Sequence, residues 1–107
     1  MAEAYTRLAQ QQATASAATL YTAPGSAGAS AIVKHIRIVN MDTVPRWVKL
    51  WQGGTADVNV ILPQVTIAAG GWAEFDGVLC LPASQTLSVI GEVASKLSVT
   101  VEGAEIT

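Results

Sequence analysis

Charged residues are scarce in this sequence. Of 107 residues, six are Lys or Arg and eight are Asp or Glu, while 50% are hydrophobic. Ordinary soluble domains carry about 25% charged residues, and a domain of this length leaves roughly a third of its unfolded surface exposed after folding. The surface must therefore be poorly charged, and such surfaces tend to associate. The composition predicts a subunit of a larger assembly; a monomer coated with Ser, Thr, Ala and Gln is the alternative.

Clusters of basic residues are also missing. The formal net charge is −2 and the Lys and Arg residues are scattered, whereas proteins that bind nucleic acids or anionic membranes concentrate them on one face. No window reaches the roughly eighteen uninterrupted apolar residues of a membrane span. Glu3, Thr6 and Arg7 stand where a secretory signal has positive charge followed by an apolar run. We therefore expect protein partners, no nucleic acid, no membrane, and synthesis in the cytoplasm.

Residues suited to catalysis or metal binding are few. Cys80 is the single cysteine, which excludes an intramolecular disulfide framework and a multi-cysteine metal site, and the apolar run 78–81 predicts that it is a small core residue. His35 is the one histidine that could serve as a base, and a place in a strand ladder is the simpler interpretation. Glu74 and Asp76 share one strand face, but no calcium-loop pattern surrounds them. We expect no enzyme activity, no metal and no cofactor.

The pattern along the chain is that of an all-β protein. Clusters of β-branched residues alternate with Gly, Pro, Asn and Asp, and no helical period is sustained. The predicted strands are 20–22, 31–40, 46–52, 58–62, 65–68, 72–76, 78–81, 86–90 and 97–102, with breaks at Pro63 and Gly77 and a possible bulge at Gly103. These nine segments, of which two neighbouring pairs are divided only by one or two residues at Pro63 and Gly77, predict an antiparallel β-sandwich of about seven or eight short strands, either a jelly roll or an immunoglobulin-like Greek key. A small closed β-barrel is the alternative.

The domain organisation is simple. Residues 19–107 are expected to form a single sandwich domain, because the length allows only one modest core. Residues 1–18 are rich in Ala, Gln, Thr and Ser, which leaves an N-terminal arm or an edge strand open. Tyr5 and Leu8 are the large apolar groups of this segment and could seat in the groove of a neighbouring copy. Tyr21, in the strand that follows, completes this set of interface candidates.

Two tryptophans stand on one face of a predicted strand. Trp47 and Trp51 alternate with Val48 and Leu50 along 46–52, so the two pairs face opposite sides of the sheet. Three interpretations are open: the indoles fill the core, anchor a protein interface, or form a sugar-stacking platform. The third would make the protein a carbohydrate-binding module or a host-glycan adhesin. Strand 31–40 likewise has apolar residues on both faces, which favours association of identical copies into a homo-oligomer.

One stretch of the sequence resembles a known family. The run Thr19-Leu20-Tyr21-Thr22-Ala23-Pro24, followed by the strand 31–40 ending in Asn40, is similar to a pattern of small structural proteins of tailed bacteriophages. The similarity continues through Trp47-Val48-Lys49-Leu50-Trp51, residues 68–71 and residues 78–89, and departs from the family pattern in the loop 25–30 and in residues 1–18. The resemblance implies a head decoration, collar or tail-associated component of the virion. Such a subunit would bind identical copies and a larger virion protein, such as a capsid or tail protein.

Overall fold

The molecule consists of eight strands. The computed structural model describes the backbone of residues 5–106 and the side chains of residues 6–106. The strands are β1 (Tyr5–Gln12), β2 (Ala18–Thr22), β3 (Ser30–Asn40), β4 (Arg46–Gln52), β5 (Val60–Ile67), β6 (Trp72–Pro82), β7 (Thr86–Gly91) and β8 (Leu97–Ile106), with a 3₁₀ turn at Asp57–Asn59 before β5. Residues 5–106 contain no helix long and apolar enough to cross a membrane.

The strands form two antiparallel four-stranded sheets that pack as a sandwich. Sheet A has the order β1-β8-β3-β6 and sheet B the order β2-β7-β4-β5. The pairings are nested, because β4 pairs with β5, β3 with β6, β2 with β7 and β1 with β8. The eight strands thus form one long antiparallel hairpin, which reverses at the β4–β5 turn and is rolled into two sheets. This topology is a jelly roll. The predicted sandwich is confirmed, and the closed barrel is wrong because each sheet keeps two free edge strands.

The N-terminal segment contributes the edge strand β1. It pairs with β8 from Tyr5 opposite Ala104 to Gln12 opposite Ser98. The chain beyond it is also tied down, since the Ala13 amide donates to the Leu97 carbonyl and the Gly91 amide donates to the Thr14 carbonyl. Residues 1–4 of the predicted arm lie outside the described residues.

Two predicted strand breaks are absent. The strand β5 continues through Pro63 and β6 continues through Gly77. Both are edge strands with register shifts at these points, and Pro is tolerated on an edge strand at a bulge because no neighbour requires its missing N–H. The predictions of breaks at Pro63 and Gly77 were therefore wrong, because the chain distorts locally and stays in the sheet.

A line of bulges crosses sheet A. In β3 the extra residue Lys34 lies opposite Gly103 and Glu102 of β8. In β1 the extra residue Leu8 lies one position further along, opposite Glu102 and Val101, and the register of β6 shifts at 77–78. The sequence predicted a bulge in β8 at Gly103, and this was wrong, because the extra residues belong to the neighbouring strands β1 and β3. At Lys34 the inward phase of β3 changes, so that the buried positions are Ala31, Val33, Ile36, Ile38 and Asn40. The apparent apolarity of both faces of 31–40 results from this change of phase, and most of these side chains point to one core.

The core is apolar, with one buried amide. It contains buried residues of strands β2 to β8, among them Ile36, Ile38, Val48, Leu50, Val99 and Val101, and Leu8 and Ala9 of β1 pack against it. Asn40 is fully buried, and its Nδ2 donates to the carbonyls of Val44, Ile67 and Ala68 at 2.9 to 3.3 Å while its Oδ1 accepts from the Asp42 amide. This amide stabilises the β3–β4 and β5–β6 turns at one end of the sandwich, because each of its polar atoms has a partner.

Candidate functional site

The two tryptophans of β4 lie on the outer face of sheet B. Val48 and Leu50 are in the core, at 0% and 1% exposure, so Trp47 and Trp51 point away from it. Trp47 is half-buried, whereas Trp51 is 6% exposed. The Lys49 ammonium lies 5.3 Å from the Trp51 ring centroid, and the buried Trp51 Nε1 has no hydrogen-bond partner. Because Trp51 is covered, the two indoles cannot together offer a stacking platform to a sugar.

The other interface candidates lie in different surroundings. Leu8 packs against this chain's own core from the bulge in β1, and Tyr21 is buried in that core. The Tyr21 hydroxyl donates to the Glu105 carboxylate across the two sheets, and burial, followed by this hydrogen bond, raises the pKa of the phenol. The side chain of Tyr5 lies outside the described residues. Leu8 and Tyr21 are thus occupied in stabilising the sandwich itself.

A hydrogen-bonded ionic cluster covers the outer face of sheet A, centred on His35. The His35 Nε2 lies 2.8 Å from Glu74 Oε2 on β6, and its Nδ1 lies 3.3 Å from Glu102 Oε1 on β8. The hydrogen bond with Glu74, and the weaker one with Glu102, raise the pKa of His35 above its ordinary 6.5. The same bond, followed by that from Arg37, lowers the pKa of Glu74 below its ordinary 4.5. His35 therefore links three strands of sheet A when it is protonated.

Trp72 extends this cluster towards the turn that joins β5 to β6. Its side chain is 62% exposed, and its Nε1 donates to Glu74 Oε1 at 2.9 Å. Arg37 Nη2 donates to the same oxygen at 3.2 Å, and the guanidinium carbon lies 6.0 Å from the indole centroid. Sequence reasoning missed this residue. Its period-two spacing from Glu74 would have placed both on one face, but the contact with Arg37 depends on the long-range pairing of β6 with β3.

Two shallow grooves run along the ionic cluster. One of about 500 Å³ is lined by Thr6, Lys34, His35, Glu102 and Gly103, at the line of bulges, and one of about 300 Å³ adds Arg37 and Thr100. Across residues 5–106, no group of three or more His, Cys, Asp or Glu side chains is placed to hold a metal ion.

Cys80 is exposed, which corrects the prediction of a core position. In the register of β6, Cys80 pairs with Ile32 while Leu79 pairs with the buried Val33. Leu81 occupies the next inward position and is fully buried. The two leucines therefore take the core positions of the apolar run 78–81, and Cys80 points away from the core between them.

The two flanks of the sandwich differ in how they are closed. At the β1–β2 flank, Gln11 Nε2 bonds to the Thr19 carbonyl at 3.4 Å. At the opposite flank, formed by β5 and β6, the side chains that pack against the core are only partly buried; they are Ile61, Leu62 and Val65 of β5 and Ala73, Phe75 and Leu79 of β6. The exposed Val78 adds to them from the bulge of β6, and β5 carries no charged residue. We call these seven residues the β5–β6 flank.

The comparisons with known proteins concern the fold. No protein-family model and no curated protein matches the sequence. Among solved structures, the chain is similar to a protein of Bacillus endospore appendages, described as a novel family of disulfide-linked pili, with a TM-score of 0.56 and 19% sequence identity over 99% of this chain and 87% of that chain. At that identity, the likeness establishes a shared β-sandwich architecture.

Proposed function

We propose that this protein is a non-enzymatic structural subunit, which packs against identical copies through the β5–β6 flank to build a larger assembly. The observation that carries the proposal is the uncovered apolar surface of that flank. Partly buried hydrophobic side chains beside an uncharged edge strand are stabilised when a partner covers their remaining surface, by about 25 cal/mol per Å² of apolar surface buried. The charge-poor composition supports the same role.

The edges themselves favour contact through side chains. Pro63 in β5 lacks an N–H, and the register of β6 is irregular at Gly77 and Val78. Both features hinder the continuous ladder that strand addition requires. A copy seated on this flank would therefore bury Phe75, Leu79 and Val78 without extending either sheet.

The assembly that we propose is a bacteriophage particle, in which the protein would be a head decoration, collar or tail-associated subunit bound also to a larger virion protein. The support for this finer statement is the sequence resemblance from Thr19 onward. The structurally similar appendage protein is itself described in terms of pili, which supports the broader subunit role. The disulfide linkage of that appendage cannot be reproduced here as a continuous row of linked subunits. Each copy has one cysteine, and one cysteine can link only two copies.

A charge placed on the flank tests the interface. Light scattering on the purified chain at tens of micromolar should give a mass larger than one chain, and Val78→Glu should weaken self-association at least tenfold, because a carboxylate would be desolvated in the contact. Val78 is 58% exposed, so the thermal transition should be nearly unchanged. Thr22→Glu adds the same charge at an exposed position of β2 and should leave the mass unaltered.

The flank interface and the virion assignment are tested by separate measurements. A monomeric wild-type chain, or equal effects of Val78→Glu and Thr22→Glu, would contradict the flank interface. Mass spectrometry of purified phage particles from a producing host tests the virion assignment independently. Absence of the chain from particles, together with a flank-dependent oligomer, would leave the structural subunit role standing and remove the phage assignment.

A further inference from the structure

Trp72 is an exposed aromatic side chain held in one orientation. Of the aromatic side chains described, it is the most exposed, at 62%. Its hydrogen bond to Glu74 and the nearby Arg37 guanidinium restrict the ring. Exposing an indole to water is unfavourable, and holding the ring in place in advance reduces the side-chain entropy that is lost when a ligand binds. The ring is thus pre-organised for stacking.

Beside Trp72, polar side chains form rows that cross all four strands of sheet A. One row is Gln10, Thr100, Arg37 and Glu74, on β1, β8, β3 and β6. Within it, Gln10 Nε2 bonds to Thr100 Oγ1 at 3.2 Å and Arg37 to Glu74 at 3.2 Å. The neighbouring row on the same face of the sheet ends in Trp72, which pairs with Val39. With strands about 4.8 Å apart, each row spans roughly 14 Å.

The chemistry of this surface selects an uncharged, hydroxylated ligand. The polar row offers donors and acceptors together, and its cation Arg37 is matched by Glu74. The next row has Arg7 and His35 beside Glu102 and Asp76, so the face presents no excess of positive charge for a phosphate backbone. The grooves are shallow and open, which suits a chain lying across the strands better than an enclosed small molecule.

We propose that the outer face of sheet A binds a neutral oligosaccharide, with one sugar ring stacked on Trp72 and its hydroxyl groups hydrogen-bonded along the Arg37 and Glu74 row. A sugar ring has an apolar C–H face that fits an indole and a rim of hydroxyls that both donate and accept. This binding activity is separate from the structural role, because it uses the outer face of sheet A and leaves the apolar flank to contacts between copies.

The test is a glycan array with neutral and acidic oligosaccharides, probed with the full chain. Neutral hits are then titrated while the indole N–H signals are followed by NMR, with that of Trp72 assigned from its loss in Trp72→Ala. We expect at least one neutral oligosaccharide to shift the Trp72 signal. Trp72→Ala should weaken binding at least tenfold, and Trp47→Ala, which removes an indole from sheet B, should leave the affinity within twofold.

Each other result overturns the proposal. No binding on the array, binding of acidic glycans only, or affinity retained in Trp72→Ala would each contradict a neutral-sugar site on this face. Light scattering on Trp72→Ala tests whether the indole instead contacts a second copy. If the variant loses self-association, Trp72 contacts a second copy, and the sugar site is wrong while the subunit role persists; if Val78→Glu alone loses it, the two surfaces are independent.

Discussion

At the scale of single residues, His35 is where protonation and structure are coupled. Because its pKa in the folded chain is raised by Glu74 and then by Glu102, an NMR titration should place its midpoint above the ordinary 6.5. Replacing Glu74 with Gln should move the midpoint back towards that value, because the charged partner is lost. Glu102→Gln is the weaker control, since the His35 Nδ1 to Glu102 distance is the longer one. A midpoint at or below 6.5 in the unmodified chain would contradict the bridged geometry.

The same shift determines the sign of the pH effect on folding. A histidine whose folded pKa is raised stabilises the fold fully below 6.5 and loses that contribution as the pH rises through the folded value. Glu74, whose pKa is lowered, stabilises the fold above its ordinary 4.5 and loses its contribution at more acid pH. The bridge is therefore most stabilising between these two values. The melting-temperature difference between the unmodified chain and His35→Gln should shrink as the pH is raised.

In β4, which residues share a strand face could be predicted from the sequence, but not which face is buried. The alternation of Trp47 and Trp51 with Val48 and Leu50 was evident, yet either pair could have been inward. The outcome depends on the side to which sheet A packs, and that information lies in strands distant along the chain. Cys80 was misplaced for a related reason, because an apolar run offers several residues for two inward positions.

At the scale of strands, the line of bulges makes Gly103 irreplaceable. A Cβ built on Gly103 would lie 1.9 Å from the Ile32 carbonyl oxygen, which requires the backbone of β3 to move. We expect Gly103→Ala to destabilise the fold by about 3 kcal/mol, as for severe overpacking. Gly77→Ala is the matched control in β6, where the Cβ would make ordinary contact with the Phe75 ring at 3.6 Å. Similar melting temperatures for the two variants would contradict the close approach of Gly103 to the Ile32 carbonyl.

The strands could be located from the sequence because β-branched clusters and turn residues are local signals. The bulges could not, since an extra residue is defined by its partner strand. At Lys34 a strict period of two assigns Ile36 and Ile38 to the same face as Ile32, whereas in the folded chain Ile32 points outward and the other two point into the core. The ionic cluster was equally hidden, because His35, Glu74 and Glu102 come together only through the pairings of β3 with β6 and β8.

At the scale of the whole molecule, we expect the proposed assembly to hold together without covalent links. Cys80 is exposed on the edge strand β6, and a single thiol can join at most two copies. We expect Cys80→Ser to leave the mass of the assembly unchanged in light scattering, in both reducing and oxidising buffer. Dissociation of the variant, in a sample whose unmodified chain remains assembled, would show that a disulfide contributes to the contact.

The sandwich could be predicted from the number and spacing of strands, whereas its strand order could not. Short strands with frequent turns are compatible with several antiparallel topologies. The choice decides that β5 and β6 are edges, and therefore that Ile61, Leu62 and Phe75 stay only partly buried. The apolar flank that supports the proposed function is thus a consequence of the topology, since the same residues in central strands would be ordinary core.

The nested pairing also has a consequence for the time course of synthesis. In sheet A, β3 lies between β6 and β8, so it has no neighbour in its own sheet until translation has passed residues 72–82. Ribosomes add roughly 5–20 residues per second, and the strand therefore waits on the order of several seconds. The segment 30–40 contains three isoleucines and two valines, interrupted by Lys34, His35 and Arg37. Apolar β-branched residues favour mispairing with other nascent chains, whereas charged residues within the run oppose it. Until β6 has been made, these basic side chains are therefore what disfavours pairing of this strand with another chain.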